Sequence, residues 1–401
     1  MKHFFLASLT VLLCCQKQVA MPPQAAELYG QWFVRPSAAL TDSLLSYRSF
    51  VDKHDSLAQA AMLASRGPLG AHTTVLADTF NSSYTLGWKT PASFRFDTLY
   101  PLVVYLHGGT GTTLTTKGEL AYDMLSALAD SVNLFLASPS ANRDAPWWSA
   151  AGMWRVLQTI RFMSLCYPID PDKIFLAGVS DGATGCYLAA NTLNDPFAGF
   201  IAVSGYGGML FSFGLKLYPQ NLVQRPILNI NAGQDRIYPF SQVMQFISWL
   251  EQNGVPVEHR EYPEEKHGFD YREKEYGNLA KIVRLWNRPT ARTSVSWIFT
   301  PGLPNLPENC IGWEIEPNTV EASINAHWTL DTLRVRATGL KWVTCSFPGP
   351  AKEPCFVSVN GSAARRIRPE RPDARTVLAL ALHQLSPRVR QQEIFKIRIA
   401  H

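Results

Sequence analysis

Five apolar runs, 102–106, 134–137, 174–177, 200–203 and 227–230, the last broken only by Asn229, recur through the middle of this chain with helix-like segments between them. A half-exposed strand alternates apolar and polar side chains, whereas a strand that is apolar throughout must be covered on both faces. The pattern therefore predicts an α/β fold, a mostly parallel sheet flanked by helices. In such a sheet the loops leaving the carboxyl ends of the strands build the functional site.

The most informative of these loops is Gly178-Val179-Ser180-Asp181-Gly182, which follows the third run and opens the helix-like stretch 183–193. A serine with glycines at both second neighbours, between a strand and a helix, fits a turn so tight that only glycine tolerates the backbone approach. A serine in a glycine-rich turn is common by itself. Here three further pieces follow the same logic. His107-Gly108-Gly109-Thr110-Gly111 leaves the first run and offers backbone N–H groups to a developing oxyanion. Asp235 ends Ala232-Gly233-Gln234-Asp235 after the fifth run, and His267 lies in Glu265-Lys266-His267-Gly268-Phe269 after the strand-like 257–262. The order Ser, Asp, His is the one an α/β-hydrolase topology imposes.

Ser180 is the expected nucleophile, and His267 the base that takes its proton, since an imidazole with a reference pKa near 6.5 accepts protons at neutral pH. The chain has nine histidines, of which only His267 follows the last strand in a glycine-terminated loop. Asp235 is expected to hold the other imidazole nitrogen, with Asp195 and Asp270 as rivals. The backbone N–H of Asp181 and one from the Gly108-Gly109 turn form the expected oxyanion hole. Trp147, Trp148 and Tyr206, on loops after the second and fourth runs, are candidates for an aromatic substrate subsite. Packing between neighbouring loops is the alternative for the tryptophans. The stretch 110–116 lacks the Gly-Lys-Ser/Thr ending of a phosphate loop. With no Cys-x-x-Cys or Cys/His cluster, neither a metal nor an organic cofactor is expected.

On these motifs the chain resembles the α/β-hydrolase superfamily, and within it the dienelactone-hydrolase and prolyl-oligopeptidase-like esterase branch, over roughly residues 71–287. The lead-in Ile169-Asp170-Pro171-Asp172-Lys173-Ile174 is typical of that branch; Ala183, where a second glycine is usual, departs from it. The pattern Trp313-Glu314-Ile315 and Val357-Ser358-Val359-Asn360-Gly361 is similar to a C-terminal β-domain appended to some bacterial members.

At the amino terminus Lys2 and His3, an apolar stretch over 4–13 and polar Gln16-Lys17-Gln18 read as an export signal, too short to span a bilayer. Leu12-Leu13-Cys14-Cys15 resembles a lipobox, so lipid anchoring through Cys15 and free secretion, periplasmic or beyond, are both open. The expected organisation is a signal at 1–20, a helical segment at 21–68, a catalytic α/β domain at 69–288, and an all-β sandwich-like domain at 293–401, where period-two alternation indicates a half-exposed antiparallel sheet. Cys345 and Cys355 could bridge a hairpin, while Cys166 and Cys186 read as core thiols. The net charge of +5 is mild, and Arg365, Arg366, Arg368, Arg371 and Arg375, interleaved with prolines and acids, read as a solvated loop. No nucleic-acid partner is expected.

The function expected from these residues is hydrolysis of a carboxylic ester, small or glycan-linked, through an acyl-enzyme on Ser180. A serine peptidase of the same branch is the first rival. A surface binding protein on an idle hydrolase scaffold is the second, although Ser180, Asp235 and His267 are all present.

Overall fold

The computed structural model describes residues 23–47, 50–289, 293–347, 355–368, 370–389 and 393–399. The expected export signal and Cys15 lie outside them. The helical segment divides into α1 (Pro23–Val34), α2 (Ala38–Leu45) and α3 (Phe50–Ala64). Pro36 ends the first, because the residue before a proline is pushed out of the helical region. Ser37 starts the second by accepting a hydrogen bond from the Leu40 N–H.

The central elements then follow in order: β1 (Ala71–Ala77), β2 (Ser83–Lys89), β3 (Tyr100–Leu106), α4 (Ser126–Val132), β4 (Phe135–Pro139), α5 (Ala150–Cys166), β5 (Ile169–Val179), α6 (Asp181–Thr192), β6 (Gly199–Val203), α7 (Met209–Ser212), α8 (Pro219–Leu222), β7 (Ile227–Ala232), α9 (Phe240–Gln252), β8 (Val257–Tyr262) and α10 (Arg272–Leu285). They form one eight-stranded sheet of order β1-β2-β4-β3-β5-β6-β7-β8. Only the β1/β2 and β2/β4 pairs are antiparallel; from β4 to β8 the strands run parallel. Side chains alternate between two cores. Leu102, Val104 and Leu106 of β3 face residues of α5, α6 and α9, whereas Val103 and Tyr105 face α4 and α10. Both faces are covered, as continuous apolar strands require. The carboxyl ends of the parallel strands consequently share one edge.

The remaining elements are β9 (Ser294–Phe299), β10 (Cys310–Ile315), β11 (Ala322–Thr329), β12 (Thr332–Thr338), β13 (Leu340–Phe347), β14 (Cys355–Val359), β15 (Arg365–Ile367), α11 (Ala374–His383) and β16 (Glu393–Arg398). Sheets β10-β13-β16 and β15-β14-β12-β11-β9 enclose a core that includes Trp297, Phe299, Val343 and Phe395. Four details differ from the expectation. The β12/β14 pair is parallel. A helix, α11, stands where only strands and a loop were read, started by Asp373, whose side chain accepts from the Thr376 N–H. Arg365 and Arg366 belong to β15 and Arg375 to α11, so the arginine stretch is not one loop. Cys345 lies opposite Cys310 across β10 and β13, in a different sheet from Cys355, and all three side chains are buried.

Helices α1 to α3 are packed between the α/β and C-terminal parts: Tyr29, Trp32, Phe33 and Leu57 share a core with Leu165 of α5 and Val377, Leu378 and Ala381 of α11. The junction also holds a buried charge cluster. Asp195, just past α6, meets His383 at 3.1 Å and Arg288 at 3.5 Å. Burial raises the Asp195 carboxyl, but His383, Arg288 and Arg225 outweigh it and hold the pKa below the usual carboxylate range. Among the described residues no helix is long and apolar enough to cross a membrane.

Candidate active site

Strand β5 delivers Ser180 to the amino end of α6 with φ 56° and ψ −118°. Such a backbone costs a non-glycine residue about 1–3 kcal/mol, so its surroundings must enforce it. They do so by contact. The Ser180 N–H donates to Val203 O at 2.9 Å, and Ala183 and Thr184 donate back to Ser180 O. A Cβ at Gly182 would lie 2.1 Å from Leu106 O, and one at Gly178 would lie 2.4 Å from Gly182 carbon. Both glycines of the pentapeptide are therefore required by backbone crowding. Ala183 fits because Gly205 faces it: a Cβ at Gly205 would come within 2.8 Å of the Ala183 methyl.

The three expected side chains converge. Ser180 Oγ is 3.0 Å from His267 Nε2, and His267 Nδ1 is 2.8 Å from Asp235 Oδ2. The other Asp235 oxygen accepts from the N–H groups of Ile237 at 2.8 Å and Tyr238 at 2.9 Å. With its carboxylate fixed in this way, Asp235 selects the tautomer in which Nδ1 carries the proton and Nε2 is free to accept from the serine hydroxyl. The loops after β7 and β8 are also tied to each other, since the Gln234 N–H donates to Glu265 O at 2.9 Å. Neither rival carboxylate takes this place. Asp270 pairs with Arg272 at the surface, and Asp195 lies in the junction described above.

Gly108 lies against the nucleophile: a Cβ there would stand 2.9 Å from Ser180 Cβ and 3.1 Å from Val179 O. Because a trans peptide is planar, fixing each carbonyl also aims the N–H of the next residue. The loop is fixed this way plane by plane. Trp147 Nε1 donates to His107 O at 2.8 Å, orienting the Gly108 N–H. His107 Nδ1 donates to Gly108 O at 2.9 Å, orienting the Gly109 N–H. Lys117 Nζ donates to Gly109 O at 2.8 Å. His107 Nε2 accepts from the Ala141 N–H at 3.0 Å, so Nδ1 bears the only ring proton. Burial lowers the His107 pKa to about 4 and keeps the ring neutral. Asp181, as the first residue of α6, presents an N–H outside the helix's own ladder, at the positive end of its dipole.

The three aromatic residues expected to form a subsite are placed differently from one another. Trp147 is fully buried against the elbow helix and cannot touch a substrate; the alternative reading, packing, applies to it. Trp148 is half-buried and stacks on Phe213 at 4.3 Å with the ring planes 5° apart. Tyr206 is nearly buried and donates to Gln242 Oε1 at 2.9 Å. Sequence reading missed Tyr238, whose ring lies 5.4 Å from that of His267, and Thr110, which bonds the Asp181 carboxylate. Tyr238 had a signal: it lies three residues past Asp235 in the same turn. Among the described residues no group of three or more His, Cys, Asp or Glu side chains is placed to hold a metal.

The sheet order and the elbow define the α/β-hydrolase fold. Residues 148–291 match the model of the dienelactone hydrolase family, a segment holding the elbow, Asp235 and His267. No sequence among curated proteins matches the chain. Among solved structures it is similar to a thermostable esterase (20% identity, TM-score 0.45, covering 54% of this chain and 63% of that one). It is also similar to an acylaminoacyl peptidase of Pyrococcus horikoshii (16%, TM-score 0.44, covering 55% and 42%). A third is an S-formylglutathione hydrolase of Staphylococcus aureus (18%, TM-score 0.42, covering 54% and 98%). The chain thus spans less than two thirds of the length of the first two.

Proposed function

We propose that this protein hydrolyses carboxylic esters through an acyl-enzyme on Ser180. The observation that supports the reading is the unbroken relay from Ser180 Oγ through His267 to the buried Asp235. In the first half-reaction Ser180 Oγ attacks the ester carbonyl carbon while His267 Nε2 takes the hydroxyl proton. The carbonyl oxygen becomes an oxyanion, held by the Asp181 N–H and an N–H of the Gly108-Gly109 turn. Collapse breaks the bond to the alcohol oxygen, which leaves with the proton from His267. Water then repeats the sequence on the acyl-enzyme, releasing the acid and restoring Ser180.

An alkoxide is an adequate leaving group, whereas a peptide needs its amine protonated in register with extended subsites. We therefore expect kcat/KM for short-chain aryl esters to exceed that for matched peptide anilides by about a hundredfold or more. Comparable values, or preference for a proline-containing anilide, would move the assignment to a peptidase. Export belongs to the same proposal, with a small or glycan-linked ester as substrate. Incorporation of labelled palmitate, lost in Cys15→Ser, is the result for an anchored form; an unlabelled protein in the medium is the result for a secreted one.

A further inference from the structure

Asp181 does more than supply an N–H. Its carboxylate is where three of the site's loops meet. Oδ2 accepts from the backbone N–H of Thr110 at 2.7 Å and from Thr110 Oγ1 at 3.0 Å. Oδ1 faces the Tyr238 hydroxyl at 3.4 Å. Thr110 is itself buried, so its N–H has no solvent to fall back on. The three peptide planes of the oxyanion loop are then held as follows: Trp147 fixes the first, His107 the second, and the third carries Lys117 on its carbonyl side and Asp181 on its N–H side.

The charge of Asp181 cannot be the reason for its presence beside a nascent oxyanion, because a nearby anion opposes charge development there. Its acceptor geometry can. We infer that the Asp181 carboxylate is a positioning residue: it clamps Thr110 and so holds the Gly108-Gly109 N–H groups at the distance the oxyanion requires. This rests on the esterase reading above.

An electrostatic role and an acceptor role predict different outcomes. Asparagine at this position removes the charge and keeps an oxygen for the Thr110 N–H; alanine removes both. The test compares wild type with Asp181→Ala, Asp181→Asn and Thr110→Ala on an aryl ester and on its thionoester, in which the carbonyl oxygen is sulfur. Sulfur is a weak hydrogen-bond acceptor, so the ester-to-thionoester ratio of kcat/KM measures how well the oxyanion hole is formed. The Asp181→Ala variant should lose about ten- to a hundredfold in kcat with KM little changed, and its ester-to-thionoester ratio should fall. Asp181→Asn should recover most of the loss and the wild-type ratio. Thr110→Ala, which keeps the backbone bond, should lose only about three- to tenfold, in the same direction. An unchanged ratio in Asp181→Ala overturns the inference, as does an Asp181→Asn variant as impaired as alanine. Should alanine fail to fold, the asparagine and Thr110→Ala variants decide by the same ratio. A wild-type protein that turns over neither substrate overturns the esterase reading as well, a result distinct from normal wild-type turnover with indifferent variants.

Discussion

Replacing His107 with asparagine removes a titratable group that the fold holds neutral, and the stability consequence can be worked out in advance. In the native state Nε2 accepts from the Ala141 N–H, Nδ1 donates to Gly108 O, and burial depresses the pKa to about 4. Protonation would set an N–H against an N–H. The unfolded chain, with an ordinary imidazole, takes up its proton near pH 6.5. Between those two values the unfolded state binds more protons, so stability is complete above the unfolded pKa and is lost as pH falls toward the folded one. At about pH 4.5 the linkage amounts to about 2.5 kcal/mol for wild type and to nothing for His107→Asn. At neutral pH the variant should be the less stable protein, because one or both ring hydrogen bonds are gone. Urea unfolding of both proteins at neutral pH and at about pH 4.5 measures the gap directly. The gap should shrink by about 2 to 3 kcal/mol on acidification, since all other titrations cancel in the difference. A gap that stays constant within about 0.5 kcal/mol would refute the assignment of a buried, neutral His107.

Other substitutions probe the site more locally. Gly108→Ala places a methyl 2.9 Å from Ser180 Cβ and must displace the loop; kcat should fall about a hundredfold or more while the fold persists, and near-normal kcat would contradict the close approach. Trp147→Phe keeps an aromatic ring but removes the donor to His107 O, so kcat should drop with KM nearly unchanged; a pure KM effect would restore Trp147 to the substrate-contact role expected from sequence. Burial and the neighbouring Asp181 push the Tyr238 hydroxyl up to about 12, so Tyr238→Phe should leave the ester pH profile unchanged below about pH 9, and a wild-type inflection in that range that disappears in the variant would show that the phenol titrates there.

The architecture was legible where one physical constraint left one solution. Fully apolar strands require two covered faces, and the elbow pentapeptide requires glycine where backbone meets backbone, as Gly178 and Gly182 do. The convergence of Ser180, Asp235 and His267 followed from parallel strands sharing one carboxyl edge. For Trp147 sequence position identified the loop but not the direction of the side chain, which left substrate contact and packing both open; its indole turns inward to donate to the His107 carbonyl. The α11 helix was missed because Val377 to Leu382 is apolar throughout and carries no clear period, although Asp373 three residues before Thr376 is a cap signal. The parallel β12/β14 pair and the Asp195–His383 contact depend on long-range packing, which no local pattern encodes.

The most direct test of the central claim is the residue that carries the acyl group. Turnover of an aryl ester, quenched in acid during the first catalytic cycle and followed by peptide mass mapping, should find the acyl mass on the peptide containing Ser180, with both adduct and turnover absent from Ser180→Ala. An acyl adduct on another residue, or full turnover by Ser180→Ala, would contradict the account.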